Sequence, residues 1–291
     1  MSLTRSVVGS VVSSAVSSVL GESGGGGGGG GPSTALAIVQ AAYEAGDPAI
    51  YWDFQDLTSL SQDLSADATS HTAAANGAAI GTVFDKAPTT GYETWGAWQS
   101  GESITGSGAT VEGEAGVSTA TGGRPILRTG TPNYAEYDGA DDNLQLASFT
   151  VGATPLMTLC FACRIDATDD RGYFFVDSSG GVRYAGRYRD AGSSVPHGNM
   201  GSPTYRVDGA ALSAATQDDL HTAVADGGWH VVTIQAAAIQ ISSVWYPFGF
   251  MTSSVANDAD LAAFCLLPDP SAEDLATIEA DFASIVGVTL P

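Results

Sequence analysis

The chain has 291 residues, 44% of them apolar, enough for one sizeable core with a small appendage. Its 32 acidic residues face 10 basic ones, a net charge of −22; a field of that sign repels phosphate backbones and anionic lipid surfaces, which argues against nucleic acid and against membranes as partners. Low charge density (14%) with 37 glycines and many Ser, Thr and Ala residues fits a turn-rich, all-β extracellular or virion-surface protein.

Residues 1–22 carry a four-residue repeat, SVVG, SVVS, SAVS, SVLG. Val7, Val8, Val11, Val12, Ala15, Val16, Val19 and Leu20 therefore share one helical face, since residues four apart are neighbours on a helix. A strict period of four overshoots 3.6, so the stripe drifts by roughly 40° per tetrad and suits a steep crossing better than a heptad seam. Half of the positions are Ser or Gly and no apolar run exceeds two residues, which fits neither a membrane span nor an export signal well. A Val-rich helix of this length is marginal alone, so the competing readings are a docking segment, which needs a partner surface, and a disordered tail. The docking reading is adopted here, with no membrane insertion. Residues 23–32 follow as a linker containing eight consecutive glycines, Gly24 to Gly31, about 15 Å across as a free coil.

Residues 33–46 predict a short helix, with Ser33 as a plausible N-cap and Gly46 and Pro48 as stop signals. From residue 47 the pattern changes to short apolar runs bounded by Gly, Asn, Asp and Pro: AIYWDF, AAIGTVF, RPILR, YAEYDG, NLQLASF, LMTLCFACRI, GYFFVD, VRYAGRY, WHVVTIQA, VWYPFGFM and AAFCLLP. Such runs predict strands of a sandwich or jelly roll. A helix over 271–286 ends the β region, capped by Ser271, with Glu273 and Asp274 in its first turn and Leu275, Ile278, Phe282 and Ile285 on one face.

Candidate chemistry is sparse. Cys160 and Cys163 form a CxxC, but their odd spacing on a strand points them to opposite faces, so with Cys265 they read as buried thiols. Gly21, Ser23 and Gly25 match a nucleophile elbow by accident, with no strand before it. His71, His197, His221 and His230 lack metal spacing, and DDLH around Asp218 and His221 reads as a loop. Asp138, Asp141 and Asp142, with Asn143, form the densest oxygen cluster, a weak Ca²⁺ candidate whose competing reading is a strand-entry turn. Arg183, Tyr184, Arg187 and Tyr188 make a locally basic, aromatic island suited to a glycan, the alternative being two packed strands. Trp95 and Trp98 in TWGAW are a second glycan candidate. No cofactor is implied.

Several stretches in order, IYWDFQDLTSLSQD, NGAAIGTVFDK, GRPILRTGTPNYAEYDGADDNLQL, LMTLCFACRIDA and AAFCLLPDPSAEDLATIEADFASIVGVTL, resemble the concanavalin A-like (laminin-G-like) jelly rolls of tailed-phage virion proteins. There a phrase of the type "RP…YLEFDGVDDYL" precedes the first core strand, matched here by Arg124, Pro125, Tyr137, Asp138, Gly139, Asp141, Asp142 and Leu144. The resemblance spans residues 48–291 and implies a mainly β, two-sheet sandwich used for glycan recognition, glucan hydrolysis or passive structural duty. A retaining glycosidase on this fold carries E-x-D-x-x-E, which is absent; Glu112 and Glu114 have i, i+2 spacing but lie among glycines. The expectation is a non-enzymatic virion surface protein, a fibre, spike or decoration. It would join other virion proteins through residues 1–22, form a homo-oligomer and touch host-surface glycans. The alternatives are a secreted bacterial lectin or glycan hydrolase and a passive capsid or tail component.

Overall fold

Runs of β-branched and aromatic residues broken by Gly, Asp and Pro favour strands. The computed structural model describes residues 34–45, 47, 49–63, 72–87, 109–110, 124–139, 142, 144–146, 156–169, 171–177, 184–189, 203–212, 216–237, 245–248 and 258–291, and it is mainly β. In chain order, α1 (Thr34–Glu44) precedes β1 (Ile50–Asp53), β2 (Leu60–Ser61), β3 (Thr82–Val83), β4 (Ala109–Thr110), β5 (Ile126–Arg128) and β6 (Tyr134–Asp138). Then come β7 (Gln145–Leu146), β8 (Met157–Ile165), β9 (Arg171–Asp177), β10 (Tyr184–Arg189), β11 (Thr204–Val207) and β12 (Ala210–Ala211). The chain closes with α2 (Gln217–Val224), β13 (Trp229–Ala237), β14 (Trp245–Pro247), β15 (Asp258–Pro268) and α3 (Ala272–Val286).

Among the described residues the strands form two antiparallel sheets. The larger runs β12-β11-β13-β8-β15-β6-β5, with β1 also on β15; the other runs β10-β9-β14-β7-β4-β3-β2. One edge of β15 serves two partners, β6 along Asp258–Leu261 and β1 along Ala263–Leu266. Gln55 closes the gap between them: its side-chain amide donates to the carbonyls of Asn133 and Ala262 and its Oε1 accepts from the Asn133 N–H.

Alternation along the central strands sorts side chains into two cores. Phe161, Cys163 and Ile165 of β8 join Phe174, Phe175 and Tyr188 of the second sheet in an inner core. Phe161 is its hub, with ring centroids 5.4 Å from Phe174, 5.0 Å from Phe264 and 5.9 Å from Phe248. Cys160 and Ala162 point the other way, into an outer core covered by α1 and α3. The CxxC therefore straddles the sheet, and all three cysteines are buried free thiols.

Short helices need help at their ends. Ser33 lies outside the described residues; at α1 a carboxylate oxygen of Asp281 on α3 accepts from the Ala35 N–H at 2.6 Å and from the Thr34 hydroxyl at 2.8 Å, pinning α1 to α3. Ser271 caps α3 by accepting from the Asp274 N–H, and Gly287 ends it in the left-handed region at φ 72°. Inside the α3–sheet contact, buried Glu279 accepts from Arg206 Nε at 2.8 Å and Nη2 at 3.1 Å, and from the Thr233 hydroxyl at 2.9 Å.

Two elements depart from the sequence reading. DDLH is not a loop but the body of α2, whose N-terminus is closed by the reciprocal Thr216–Asp219 capping box. The β11–β12 hairpin was missed as well; Asp208 (φ 51°) and Gly209 (φ 76°) make its turn, and the Asp-Gly pair was the available signal.

Candidate functional site

A single bulge decides which way the acidic end of β15 faces. Leu261 pairs with Cys163 and Ala263 with Ala162, so Ala262 is an extra residue. Ala262 and Ala263 both sit in the outer core, while Leu261 and Ala259 fall in the inner one. One residue fewer would turn Asp258 and Asp260 into the apolar space between the sheets. With the bulge they share the outer face with Arg164 of β8 and Glu136 of β6, the register neighbours of Asp260.

These side chains, with Asp166, Gly227 and Ala259, line a cleft of about 320 Å³ at the end of the sheet that the helices leave open. Arg164 is the cleft's cation. Its Nε donates to Asp260 Oδ2 at 2.6 Å, with Nη2 on the same oxygen. Its guanidinium lies 5.1 Å from the Trp229 ring and 5.5 Å from the Tyr134 ring, and those rings meet edge to face at 5.6 Å. Outside it, Arg128 Nε donates to Glu136 Oε2 at 2.7 Å.

Carboxylates outnumber cations here, and the protonation equilibria reflect that. Burial pushes the Asp260 carboxyl up to about 6 even with Arg164 against it. Asp258 is raised by burial and by the charges of Asp166, Asp138 and Glu136. Behind the cleft, buried Asp169 accepts from the Tyr188 hydroxyl at 2.8 Å and from the Asp258 N–H at 3.2 Å; burial raises it to about 6 as well. The wall at Gly227 is held by its N–H donating to the Ile165 carbonyl and by His230, which bridges Asp208 (2.8 Å) and Asp226 (3.0 Å). Although burial opposes it, that carboxylate pair raises the His230 pKa.

The sequence-derived candidates fare differently. Tyr188 is fully buried, bonded to Asp169, and Arg187 stacks 5.2 Å from the Tyr173 ring. Of the expected basic, aromatic island, the described side chains are a core tyrosine and a half-buried arginine. The register of β10 against β9 is unbroken from Tyr184 to Arg189, so plain alternation puts Arg187 and Tyr188 on opposite faces. Asp142 is buried and accepts from the Asp138 N–H at 2.9 Å, the arrangement of a turn. No group of metal-binding side chains converges among the described residues. His221 Nε2 lies 2.9 Å from the Asp169 carbonyl oxygen. Asp141, Arg183, Trp95, Trp98, Glu112, Glu114, His71, His197, the Gly21–Ser23–Gly25 match and the docking stripe from Val7 to Leu20 lie outside the described residues, as does the side chain of Tyr184. Glu136, Arg164, Tyr134 and Trp229 were not singled out from sequence, and ANDAD around Asp258 reads there as a turn, whereas Asp258, Ala259 and Asp260 begin β15.

In chemical terms the cleft offers hydrogen-bond acceptors for hydroxyl groups and a carboxyl raised to about 6, with Trp229 and Tyr134 beside it, against the Arg164 guanidinium. No helix among the described residues is long and apolar enough to cross a membrane. No protein-family model matches the sequence, and neither a curated protein nor a solved structure matches it.

Proposed function

We propose that this chain is a non-enzymatic surface protein of a tailed-phage virion or related particle, a fibre, spike or decoration. In this reading the β region is a concanavalin A-like jelly-roll sandwich, residues 1–22 dock on other virion proteins, copies associate as a homo-oligomer, and the cleft touches host-surface glycans. What carries the reading is one combination: an apolar segment and a glycine joint in the sequence, ahead of a two-sheet antiparallel region with an open acidic cleft beside the Trp229–Tyr134 pair. Carboxylates accept from sugar hydroxyls, and the Trp229–Tyr134 pair supplies an apolar surface for a ring. Two experiments test it. Deleting residues 1–22 should leave a folded protein that no longer co-purifies with particles; normal assembly of the truncated chain would overturn the docking role. On a glycan array, binding by the full chain should disappear in Trp229→Ala with Tyr134→Ala, and undiminished binding would remove the cleft from the account.

Glycan hydrolysis is a second reading favoured by one observation, a carboxyl raised to about 6 beside a cross-strand carboxylate, Glu136. Against it, Arg164 occupies the Asp260 oxygen that would deliver the proton. Release of reducing sugar from a host polysaccharide, abolished in Asp260→Asn, would replace the non-enzymatic reading.

A further inference from the structure

Cys160 and Cys265 have no part in the cleft, yet their placement is specific. They face each other in the antiparallel register of β8 and β15, both are fully buried, and both belong to the outer core under α1 and α3. Register partners in an antiparallel pair have Cα atoms about 4.5–5.5 Å apart, inside the range a disulfide spans. The Cys160 sulfur lies 3.6 Å from the Thr233 hydroxyl oxygen, on the same outer face. Cys163 projects from the opposite face of β8 into the inner core, so the sheet itself separates it from the pair.

We propose that Cys160 and Cys265 are a latent disulfide site, closed by a small-molecule disulfide such as glutathione disulfide whenever the α1–α3 layer lifts from the sheet. The chemistry balances in two exchanges. One thiol of the pair loses its proton and attacks glutathione disulfide, forming a mixed disulfide and releasing one glutathione. The second thiolate then attacks the protein sulfur of that mixed disulfide, forming the Cys160–Cys265 bond and releasing the second glutathione; the two thiols are oxidised and the one disulfide is reduced. Burial holds the Cys265 thiol well above its ordinary pKa, which keeps the closed native state slow to react. The layer that must lift is α1, 11 residues long and pinned to α3 at its N-terminus by Asp281, together with α3.

The test uses the full chain, incubated with glutathione disulfide in urea just below the unfolding transition and returned to buffer. Free thiols should fall from three to one, the intact mass should drop by two hydrogens, and cleavage after Phe161 should show Cys160, not Cys163, joined to Cys265. Bridging a loop of about a hundred residues should raise the thermal midpoint by roughly 5–10 °C, reversed by a reductant. Cys163→Ser should behave as the parent does, whereas Cys265→Ser should hold a glutathione adduct and gain no cross-link. Three free thiols after treatment, a stable glutathione adduct on the parent chain, or a bond that includes Cys163 would each overturn the proposal.

Discussion

Glu279 is the sharpest place to perturb the fold. It is 2% exposed, projects from α3 onto the outer face of the large sheet, and accepts two bonds from Arg206 and one from Thr233. Glu279→Ala leaves a guanidinium without its counter-charge and a buried hydroxyl without its acceptor. Removing one partner of a buried ion pair costs about 3–5 kcal/mol. The Arg206 side chain keeps 31% exposure, so water recovers part of the loss and the lower end, about 3 kcal/mol, is expected. For a domain of this size that lowers the thermal midpoint by roughly 6–12 °C. Glu279→Leu combined with Arg206→Met removes both charges and should recover most of the loss, because an apolar pair of similar volume avoids the desolvation penalty. Urea unfolding followed by tryptophan fluorescence would show the midpoint shift at constant slope. A loss below about 1 kcal/mol in Glu279→Ala, or a double variant no better than the single one, would refute the view that this pair holds α3 to the sheet.

Mild acid should stabilise the protein. Asp169 and Asp260 are raised to about 6 when folded, from the 3.8 of a free aspartate, so the folded state holds protons that the unfolded chain has lost; each group's favourable contribution is fullest below about 4 and disappears as pH rises through about 6. Each corresponds to about 3 kcal/mol, and Asp260→Asn should visibly shrink the difference in thermal midpoint between pH 4.5 and pH 8. His230 acts in the same direction: its raised pKa gives stability present below 6.5 and lost as pH climbs through its folded value, which His230→Gln should remove. Gly186→Ala places a Cβ 2.8 Å from Ile234 Cδ1 and 3.0 Å from Phe174 at φ 70°, for an expected loss of about 3 kcal/mol in chemical denaturation. Deleting Ala262 should turn Asp258 and Asp260 toward the inner core; soluble, fully stable protein from that deletion would contradict the assigned bulge.

What the sequence by itself determined was local. Ser271, the acidic first turn and the spacing of Leu275, Ile278 and Phe282 define α3 without reference to anything else, because a cap and a 3.6-residue period are properties of the segment. Most of the apolar runs became strands, and the odd spacing of Cys160 and Cys163 placed them on opposite faces, since a two-residue period needs no partner to state. The α2 capping box and the Asp208-Gly209 turn were equally local signals, passed over because their flanking segments are weakly apolar. The cleft belonged to the tertiary structure. Whether Asp260 faces water or core depends on one extra residue at Ala262, and Tyr188 is a core ring because β10, in register with β9, turns that face toward Phe174. A bulge exists only as a mismatch between two paired strands, so its effect on every side chain beyond it is decided by the neighbouring strand and by the core that strand must complete.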